Sequence, residues 1–344
     1  MKAVVKMAAG EGNVALKDWP EPSPAPDEIK LRIGSAGICG TDLHIIKGSW
    51  ACQAPIVIGH EFCGTVVQVG SQVNIFKPGD RVVGSNPART CGECYHCRAG
   101  NPFMCSARVS AGYMIDGAFA EYFCIAAERC HALPAQVTFR QAALGEPLAV
   151  AVRAVMERTI VRPGDVVLVS GPGCVGLLTA QLAKLAGANV IVAGVNKDAR
   201  RLNCAKELGA DRVVDTSRED LLKIVGECTN GEGADLVYEC AGAVASIQLC
   251  LDAVKKEGTL VPLGILSGPI QTSFSKITLK DLSVVGSYGY VWNSWRSAIK
   301  LISEGKVRTE ELISHEFPLG KFDEAFRAAE DGSAVKVVFN PELA

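Results

Sequence analysis

Short runs in which apolar and polar residues alternate dominate the first 150 positions of the chain. Examples lie at residues 30–33, 64–69 and 81–84, and clusters of proline and glycine separate them. Alternation with a period of two is typical of strands that bury one face, and many closely spaced strands favour an antiparallel sheet curled into a barrel. The first part of the chain is therefore predicted to be a barrel-like β domain.

The pattern changes near residue 165, where apolar strands alternate with helical segments. Predicted strands cover residues 165–170, 189–193, 211–214, 236–239 and 259–262, and predicted helices cover residues 175–186, 199–208, 221–225 and 246–254. Repeated strand–helix–strand units predict a doubly wound parallel sheet.

After residue 293 the chain carries two helical patterns, at 295–303 and 322–330, and a final apolar strand at 334–339. We infer that the chain returns there to complete the first domain. The predicted class is α/β, with domains at residues 1–148 and 149–292 and a return segment at 293–344.

Composition restricts the class of protein and of partner. The 344 residues exceed the size of one comfortable core, which agrees with two domains. The 35 basic and 37 acidic residues nearly cancel, so no surface is expected to attract nucleic acid or a membrane. No apolar run reaches the roughly 20 residues of a transmembrane helix, and no export signal is recognised. We expect a cytoplasmic protein that acts on small molecules.

A glycine-rich segment lies between the first predicted strand and helix of the second domain. Its sequence is Gly171-Pro172-Gly173-Cys174-Val175-Gly176, which is a G-x-G-x-x-G pattern. Such glycines permit a tight turn, a close approach of the backbone to a pyrophosphate and tight packing of helix on strand, while the helix N-terminus supplies free N–H groups. A glycine-rich turn without a ligand is the alternative, but the strand–loop–helix context favours a dinucleotide site.

The end of the next strand bears on which dinucleotide binds. In NAD-binding proteins an acidic residue there takes the ribose hydroxyls, whereas here the strand leads into Asn196 and Lys197, with Arg200 and Arg201 close behind. A small strand tip with cations nearby suits the 2′-phosphate of NADP, so NADP is favoured over NAD. Asp198 keeps NAD as an alternative cofactor, because a slightly longer loop would return its carboxylate to the ribose. The cations are also ordinary at a solvated helix start.

Four cysteines follow the spacing C-x2-C-x2-C-x7-C, and these are Cys91, Cys94, Cys97 and Cys105. Four thiolates in one lobe fill a tetrahedral zinc shell, which predicts a closed, structural metal site. Disulfides, unliganded thiols and an iron–sulfur cluster are the alternatives. A reducing compartment argues against the first, and no other feature requires electron transfer.

Three further motifs establish a resemblance. Cys39-Gly40-Thr41-Asp42-Leu43-His44 matches C-G-[ST]-D-x-H, and residues 59–73 match G-H-E-x2-G-x5-G-x2-V. Gly145-Glu146-Pro147-Leu148 contains the E-P-L of polyol dehydrogenases. On these motifs the chain resembles, over essentially its full length, the zinc-dependent medium-chain dehydrogenases/reductases, and within them the sorbitol and threonine dehydrogenase branch.

The resemblance implies a GroES-like β-barrel catalytic domain and a Rossmann cofactor domain. It implies a catalytic zinc bound by Cys39 and His60, with Glu61 as a third ligand or as a carboxylate close behind the ligands. Glu146 would be the fourth group, holding the water of the zinc or exchanging with it. The alternative for Glu146 is a plain carboxylate at a helix N-terminus. With the four-cysteine site, two zinc ions per chain are expected.

The resemblance also implies a reaction. Zinc would act as a Lewis acid that lowers the pKa of a substrate hydroxyl, and hydride would pass to the nicotinamide. Thr41 would take the hydroxyl proton and pass it through the cofactor ribose towards His44, whose ordinary pKa of about 6.5 suits release to water. Alternatively, Thr41 and His44 only cap and pack a loop.

Relatives bring backbone against the nicotinamide at positions that match two short segments of this chain. These segments contain Leu263, Gly264 and Ile265, and then Ser287 and Tyr288. Arg201 matches an arginine that lies over the adenine in relatives, and a surface arginine is the alternative interpretation.

Departures from the resemblance bear on the substrate. Ile45 and Gly289 stand where sorbitol dehydrogenases have a tyrosine and an arginine, which argues against sorbitol itself. Glu146 and Tyr290 differ from the usual threonine dehydrogenase residues. We expect oxidation of a secondary alcohol in a polyol, sugar alcohol, sugar acid or vicinal diol to the ketone, with a threonine-type amino alcohol as the alternative. The tryptophans Trp50, Trp292 and Trp295 either line a stacking pocket or pack in the core.

Two other classes are weighed against this function. A quinone or enone reductase needs no catalytic metal, and non-catalytic relatives of the family generally lack the zinc residues, all of which this chain keeps. The resemblance further implies a homodimer or homotetramer that pairs sheet edges around residues 259–288.

Overall fold

A computed structural model describes residues 1–266, 268–332 and 334–343. Ser267, within the segment expected to pair between subunits, lies outside these ranges, as do Ser333 and Ala344 of the return segment. The chain divides into two compact units. The first comprises Met1–Glu146, Val291–Gly305 and the residues from Ile313 on, and the second comprises Pro147–Tyr290 and Lys306–Leu312. Among the described residues, no helix has both the length and the apolar character needed to cross a bilayer.

Short strands and helices alternate over the first 144 residues. The strands are β1 (Lys2–Lys6), β2 (Val14–Asp18), β3 (Glu28–Gly37), β4 (Ile56–Val57), β5 (Glu61–Val69), β6 (Arg81–Gly84), β7 (Tyr122–Ala126) and β8 (Cys130–Ala132). The helices are α1 (Gly40–Ile46), α2 (Tyr95–Arg98) and α3 (Phe139–Ala142).

The second unit alternates strand and helix regularly after α4 (Gly145–Val152). Its strands are β9 (Val166–Ser170), β10 (Asn189–Gly194), β11 (Arg212–Asp215), β12 (Ala234–Glu239), β13 (Val254–Pro262) and β14 (Ser283–Val284). Its helices are α5 (Cys174–Leu185), α6 (Ala199–Glu207), α7 (Leu221–Cys228), α8 (Val244–Ala253) and α9 (Ser275–Leu279).

These six strands form one sheet in the order β11-β10-β9-β12-β13-β14, and every pairing in it is parallel. The order reverses between β9 and β12, so the carboxyl ends of these two strands form the crevice where open α/β sheets bind ligands. The predicted doubly wound sheet is confirmed. Its core is built from apolar residues such as Leu168, Ile191 and Val237.

The start of β13 differs from the prediction. The sequence pattern predicted a helix that ends at residue 254 and a strand that begins at residue 259. In the structure, β13 already begins at Val254. The polar residues 255–258 lack the apolar pattern of a strand, yet they form an irregularity in which the pairing with β12 shifts register and Glu257 adopts a φ of +58°.

The chain then returns to the first unit through α10 (Trp292–Ser303), β15 (Ile313–Phe317), α11 (Phe322–Glu330) and β16 (Lys336–Phe339). β16 pairs antiparallel with β3, and β15, which the pattern did not predict, pairs parallel with β16. The resulting sheet has the order β15-β16-β3-β5-β6-β8, with β7 also paired to β3. β3 is therefore central, and its carboxyl end leads directly into the candidate site.

Candidate metal centres and cofactor loop

Cys39 lies between the end of β3 and the first turn of α1. Its backbone N–H donates a hydrogen bond of 2.8 Å to Oδ2 of Asp42, the third residue of the helix. Asp42 is completely buried. This local capping interaction fixes the backbone of Cys39 and therefore the origin of its thiol.

Three predicted ligands come together at this point. The sulfur of Cys39, a ring nitrogen of His60 and a carboxylate oxygen of Glu61 all lie within 4.8 Å of one another. The antiparallel register of β3 and β5 places Glu61 opposite Gly37, two residues before Cys39, which brings the two ligand-bearing segments side by side. One thiolate, one imidazole and one carboxylate form a donor set suited to zinc with a coordination position left open.

Asp42 also orients His60. Its Oδ1 atom lies 3.3 Å from Nδ1 of His60, and both side chains are buried. Burial by itself lowers the pKa of His60, but the carboxylate of Asp42 and the sulfur of Cys39 outweigh it and raise that pKa well above its ordinary value. A carboxylate beside Nδ1 of a metal-binding histidine leaves Nε2 as the nitrogen that faces the metal. The sequence contained Asp42 within a motif, and its position three residues after Cys39 was the available signal.

Glu61 has a partner that the sequence did not indicate. Its Oε2 atom lies 2.5 Å from the ammonium of Lys336 on β16, and the side chains are only 2% and 4% exposed. The two residues are 275 positions apart, so no local pattern could have paired them.

Glu146 lies in the first turn of α4 and is buried, but it does not belong to the compact group of Cys39, His60 and Glu61. Trp295 packs beside the preceding residue, because a Cβ atom on Gly145 would lie 3.1 Å from the Trp295 ring. The structure thus brings three of the four expected groups into one cluster and leaves Glu146 as a buried carboxylate outside it.

The two residues of the expected proton path both lie on α1. Oγ1 of Thr41 is 3.8 Å from the sulfur of Cys39, and Nδ1 of His44 is 3.1 Å from Oγ of Ser49. Ser49 is exposed and also donates from its hydroxyl to the carbonyl of His44. Thr41 therefore lies beside a predicted ligand, while His44 leads to the surface through Ser49, a residue that sequence reasoning missed.

Of the three tryptophans singled out in the sequence, only Trp50 is linked to the metal-ligand cluster. Its ring meets Tyr113 edge-on at 6.2 Å, and Tyr113 meets His60 edge-on at 6.5 Å. Trp295 is buried in the core and stacks on His131, and the ring of Trp292 lies 4.1 Å from the same histidine. Ile45 is fully buried, so it faces the core of the unit.

The four-cysteine lobe has the dimensions of a metal shell. The sulfur of Cys91 is 3.9 Å from that of Cys97 and 3.6 Å from that of Cys105, and Cys94 belongs to the same group within 4.8 Å. Tetrahedral zinc with Zn–S bonds of about 2.3 Å separates its sulfurs by about 3.8 Å, whereas a disulfide needs about 2.05 Å. All of the cysteines are free thiols. Disulfides are therefore excluded here, and the lobe fits zinc.

Electrostatics in the lobe also suit a bound cation. The backbone N–H groups of Cys94 and Glu93 lower the pKa of Cys91 to about 7. The N–H of Cys97 points at the sulfur of Cys94 at 3.5 Å and by itself lowers the pKa of that thiol, but burial and the neighbouring cysteine side chains outweigh it and raise the pKa of Cys94 to about 11. N–H groups directed at sulfur stabilise thiolates, which are the form that binds metal.

The glycine-rich loop has the shape that a pyrophosphate requires. Gly171 has a φ of +102°, and a Cβ there would lie 2.5 Å from the backbone nitrogen of Ala241; a Cβ on Gly176 would lie 2.0 Å from the carbonyl oxygen of Gly171. Gly173, by contrast, has no atom within 4 Å of a Cβ position and precedes the first turn of α5, at Cys174 and Val175. Packing explains the outer two glycines, and the open space at the middle one leaves room for the backbone approach of a pyrophosphate.

At the end of β10, the residues expected to meet the ribose differ in burial and in hydrogen bonding. Asp198 is buried, and its carboxylate accepts the N–H of Val195 at 3.1 Å and the guanidinium of Arg201 at 3.1 Å. Asn196 and Lys197 are exposed at the strand tip. The carboxylate of Asp198, which had left NAD as an alternative cofactor, is therefore already hydrogen-bonded within its own turn.

The two segments expected near the nicotinamide differ in character. A Cβ on Gly264 would meet the nitrogen of Gly242 at 2.2 Å and the carboxylate of Glu239 at 2.7 Å, so packing alone requires this glycine. Glu239 is fully buried and accepts hydrogen bonds from the N–H groups of Ala241 and Gly242, which organises the loop. No sequence motif indicated this residue. Leu263, Ile265, Ser287 and Tyr288 are all at least partly exposed.

Comparison with known proteins gives two family matches. The model of the alcohol dehydrogenase GroES-like domain matches residues 25–135, and the model of the zinc-binding dehydrogenase matches residues 174–304. Sorbitol dehydrogenase of Halalkalibacterium halodurans is 40% identical over 342 residues, 99% of each chain. D-arabitol-phosphate dehydrogenase of Enterococcus avium is 36% identical and covers 99% of this chain and 98% of its own.

A solved structure gives the same result for the fold. The crystal structure described as a zinc-binding dehydrogenase of Sinorhizobium meliloti 1021 bound to NADP superposes with a TM-score of 0.91 at 32% identity. The superposition covers 99% of both chains.

Proposed function

The chain belongs to the zinc-type alcohol dehydrogenase family, and from this membership we infer that it transfers a hydride between a secondary hydroxyl of a polyol and NAD(P), giving the ketone. The observation that carries this function is the cluster of Cys39, His60 and Glu61. It offers three different donors, where the cysteine lobe offers four equal ones. An incomplete donor set is what a reaction at a metal requires.

Zinc, when bound, supplies a Lewis acid that lowers the pKa of a substrate hydroxyl, and the nicotinamide supplies the hydride acceptor. Cys39, His60 and Glu61 would hold the catalytic ion, and Cys91, Cys94, Cys97 and Cys105 a structural one. We propose two zinc ions per chain on this basis.

The remaining residues of the first unit would serve the substrate and its proton. Thr41, beside the sulfur of Cys39, would accept the hydroxyl proton as it passes its own through the cofactor ribose to His44, and His44 with Ser49 would deliver a proton to solvent. Glu146 would act from outside the cluster by holding a water. The pair Trp50 and Tyr113 would form an aromatic wall next to His60.

For the cofactor we propose a preference for NADP over NAD. The loop Gly171–Gly176 with Cys174 and Val175 would hold the pyrophosphate, and the segments at 263–265 and 287–288 would contact the nicotinamide. Asp198 is already bonded to Val195 and Arg201, so it has less capacity to accept ribose hydroxyls. Exposed Lys197 at the strand tip, with Asn196, would meet a 2′-phosphate.

The proposed substrate is a sugar alcohol, a sugar acid or another vicinal diol, free or phosphorylated. The names of the relatives, sorbitol dehydrogenase and D-arabitol-phosphate dehydrogenase, support this class. Oxidation of a threonine-type amino alcohol is the second candidate. We further propose a homodimeric or homotetrameric cytoplasmic enzyme, with residues 1–148 and 293–344 as its catalytic domain and residues 149–292 as its cofactor domain.

A screen of purified enzyme tests the function. Polyols, their phosphates, sugar acids, small diols and threonine are each offered with NAD and with NADP, and reduced cofactor is read by absorbance. We expect turnover on at least one polyol, loss of it with a chelator, and recovery with zinc. Turnover on enones or quinones that a chelator leaves undiminished, without any alcohol oxidation, would contradict the proposal.

A further inference from the structure

Lys336 reaches the metal-ligand cluster across a whole strand. It lies on β16, Glu61 lies on β5, and β3 runs between them. The lysine passes over Gly37 of β3, where a Cβ would lie 2.3 Å from Oε2 of Glu61 and 2.9 Å from Cε of Lys336. The absence of a side chain at Gly37 is what makes this crossing possible.

The ammonium of Lys336 holds both ligand-bearing segments. It donates to Oε2 of Glu61 at 2.5 Å and to the carbonyl of Ile38 at 2.8 Å. Ile38 immediately precedes Cys39, and Glu61 immediately follows His60. One buried cation therefore bridges the backbone beside the first ligand and the side chain beside the second.

Stability alone is a weak reason for this arrangement. The cost of removing two charges from water offsets most of the attraction in a buried ion pair, and a well-packed apolar pair is often as stable. Charge balance around a metal is a better reason. The thiolate of Cys39 and the carboxylate of Glu61 would both bind one divalent ion held at this site, and without an opposing cation both carboxylate oxygens would be drawn to it.

We propose that Lys336 is a positioning residue of the catalytic metal centre. By holding Oε2 of Glu61 against β3, it would leave only the other carboxylate oxygen for the ion and keep open the coordination position that substrate needs. This inference rests on the proposed zinc function and concerns the same site.

The experiment uses zinc-loaded enzyme and the variants Lys336→Met and Lys336→Arg. Readouts are the rate of zinc release to a chromogenic chelator, kcat, and the visible spectrum after cobalt substitution at the catalytic site. For Lys336→Met we expect kcat to fall by roughly 10- to 100-fold. We also expect slower zinc release and a cobalt spectrum shifted towards higher coordination. Lys336→Arg should restore all three, because arginine keeps the charge.

Two further variants separate this role from a structural one. Lys30→Met removes another buried lysine of the same sheet, which pairs with Glu21, and it should leave all readouts unchanged. In a Glu61→Gln background, Lys336→Met should have no further effect on zinc release or spectrum. Lys336→Gln replaces the methionine variant if the latter does not fold.

Faster zinc release from Lys336→Met with an unaltered cobalt spectrum would overturn the role of Lys336 and leave the proposed function standing. Wild-type enzyme that binds only the zinc of the cysteine lobe would overturn the proposed function itself.

Discussion

Oδ1 of Asp42 lies 3.3 Å from Nδ1 of His60, while Oδ2 of the same carboxylate accepts the backbone N–H of Cys39 at 2.8 Å. One buried side chain thus orients two of the three predicted zinc donors. Because Asp42 is fixed in the first turn of α1 by its hydrogen bond to Cys39, the position of His60 also depends on this local capping interaction.

Replacing Asp42 by asparagine should weaken the catalytic metal site selectively. Loss of the carboxylate removes the charge that orients His60, and zinc affinity there should fall by roughly 10- to 100-fold. Competition with a chelator measures the zinc affinity of this site, and the zinc of the cysteine lobe serves as an internal reference. Asp80→Asn is a matched control, since Asp80 accepts the N–H of Lys77 in a similar capping turn. Equal affinities in wild type and Asp42→Asn would contradict the orienting role.

The glycine-rich loop permits a paired test. Gly171→Ala should destabilise the fold by roughly 1–3 kcal/mol, because its φ of +102° and its contact with Ala241 exclude a side chain. Gly173→Ala should leave the melting temperature unchanged, because its Cβ meets no protein atom within 4 Å, and should raise the dissociation constant for the dinucleotide, because that Cβ would enter the space proposed for the pyrophosphate. Thermal melting and fluorescence titration measure the two effects. Unchanged cofactor binding in Gly173→Ala would show that the dinucleotide lies elsewhere.

Lys197→Ala tests the cofactor preference. A hydrogen bond to a charged group contributes roughly 1.5–3 kcal/mol, so the KM for NADP should rise by about tenfold or more while that for NAD changes little. Lys206→Ala, an exposed lysine near the other end of α6, is the control. Steady-state kinetics with both cofactors decide the matter. A wild-type enzyme that uses NAD alone would refute the preference.

His131 should make stability depend on pH. Burial lowers its pKa from the ordinary 6.5 to about 4 in the folded protein. Above pH 6.5 the imidazole is neutral in both states. Between pH 6.5 and 4 only the unfolded chain takes up the proton, so the free energy of unfolding falls as the pH falls, by about 3 kcal/mol in total.

His131→Phe keeps an aromatic ring in contact with Trp292 and Trp295 and removes the titration. Unfolding by urea at several pH values should show wild type losing stability relative to this variant below pH 6.5. Parallel profiles for the two proteins would rule out the effect.

The contrast between Cys91 and Lys336 shows what a sequence can predict here. The cysteine lobe, the glycine loop and the doubly wound sheet were predicted because their signals are local spacings and apolar periods. Lys336 pairs with the carboxylate of Glu61, which lies 275 residues away in the sequence. The two meet only because β16, β3 and β5 are neighbours in the folded sheet. Tyr113 was missed for the same reason. The early start of β13 was hidden by the polar irregularity around Glu257, where backbone pairing overrides the apolar pattern.

The central claim is that one metal site carries out the reaction and the other only stabilises the fold. Zinc analysis of three proteins tests this claim most directly. Zinc per chain, melting temperature and polyol-dependent cofactor reduction are measured on wild type, Cys39→Ser and Cys97→Ser. We predict about two zinc ions in wild type and one in each variant. Cys39→Ser should lose turnover with its melting temperature intact, and Cys97→Ser should mainly lose stability. One zinc ion in active wild type, or undiminished turnover in Cys39→Ser, would contradict the account.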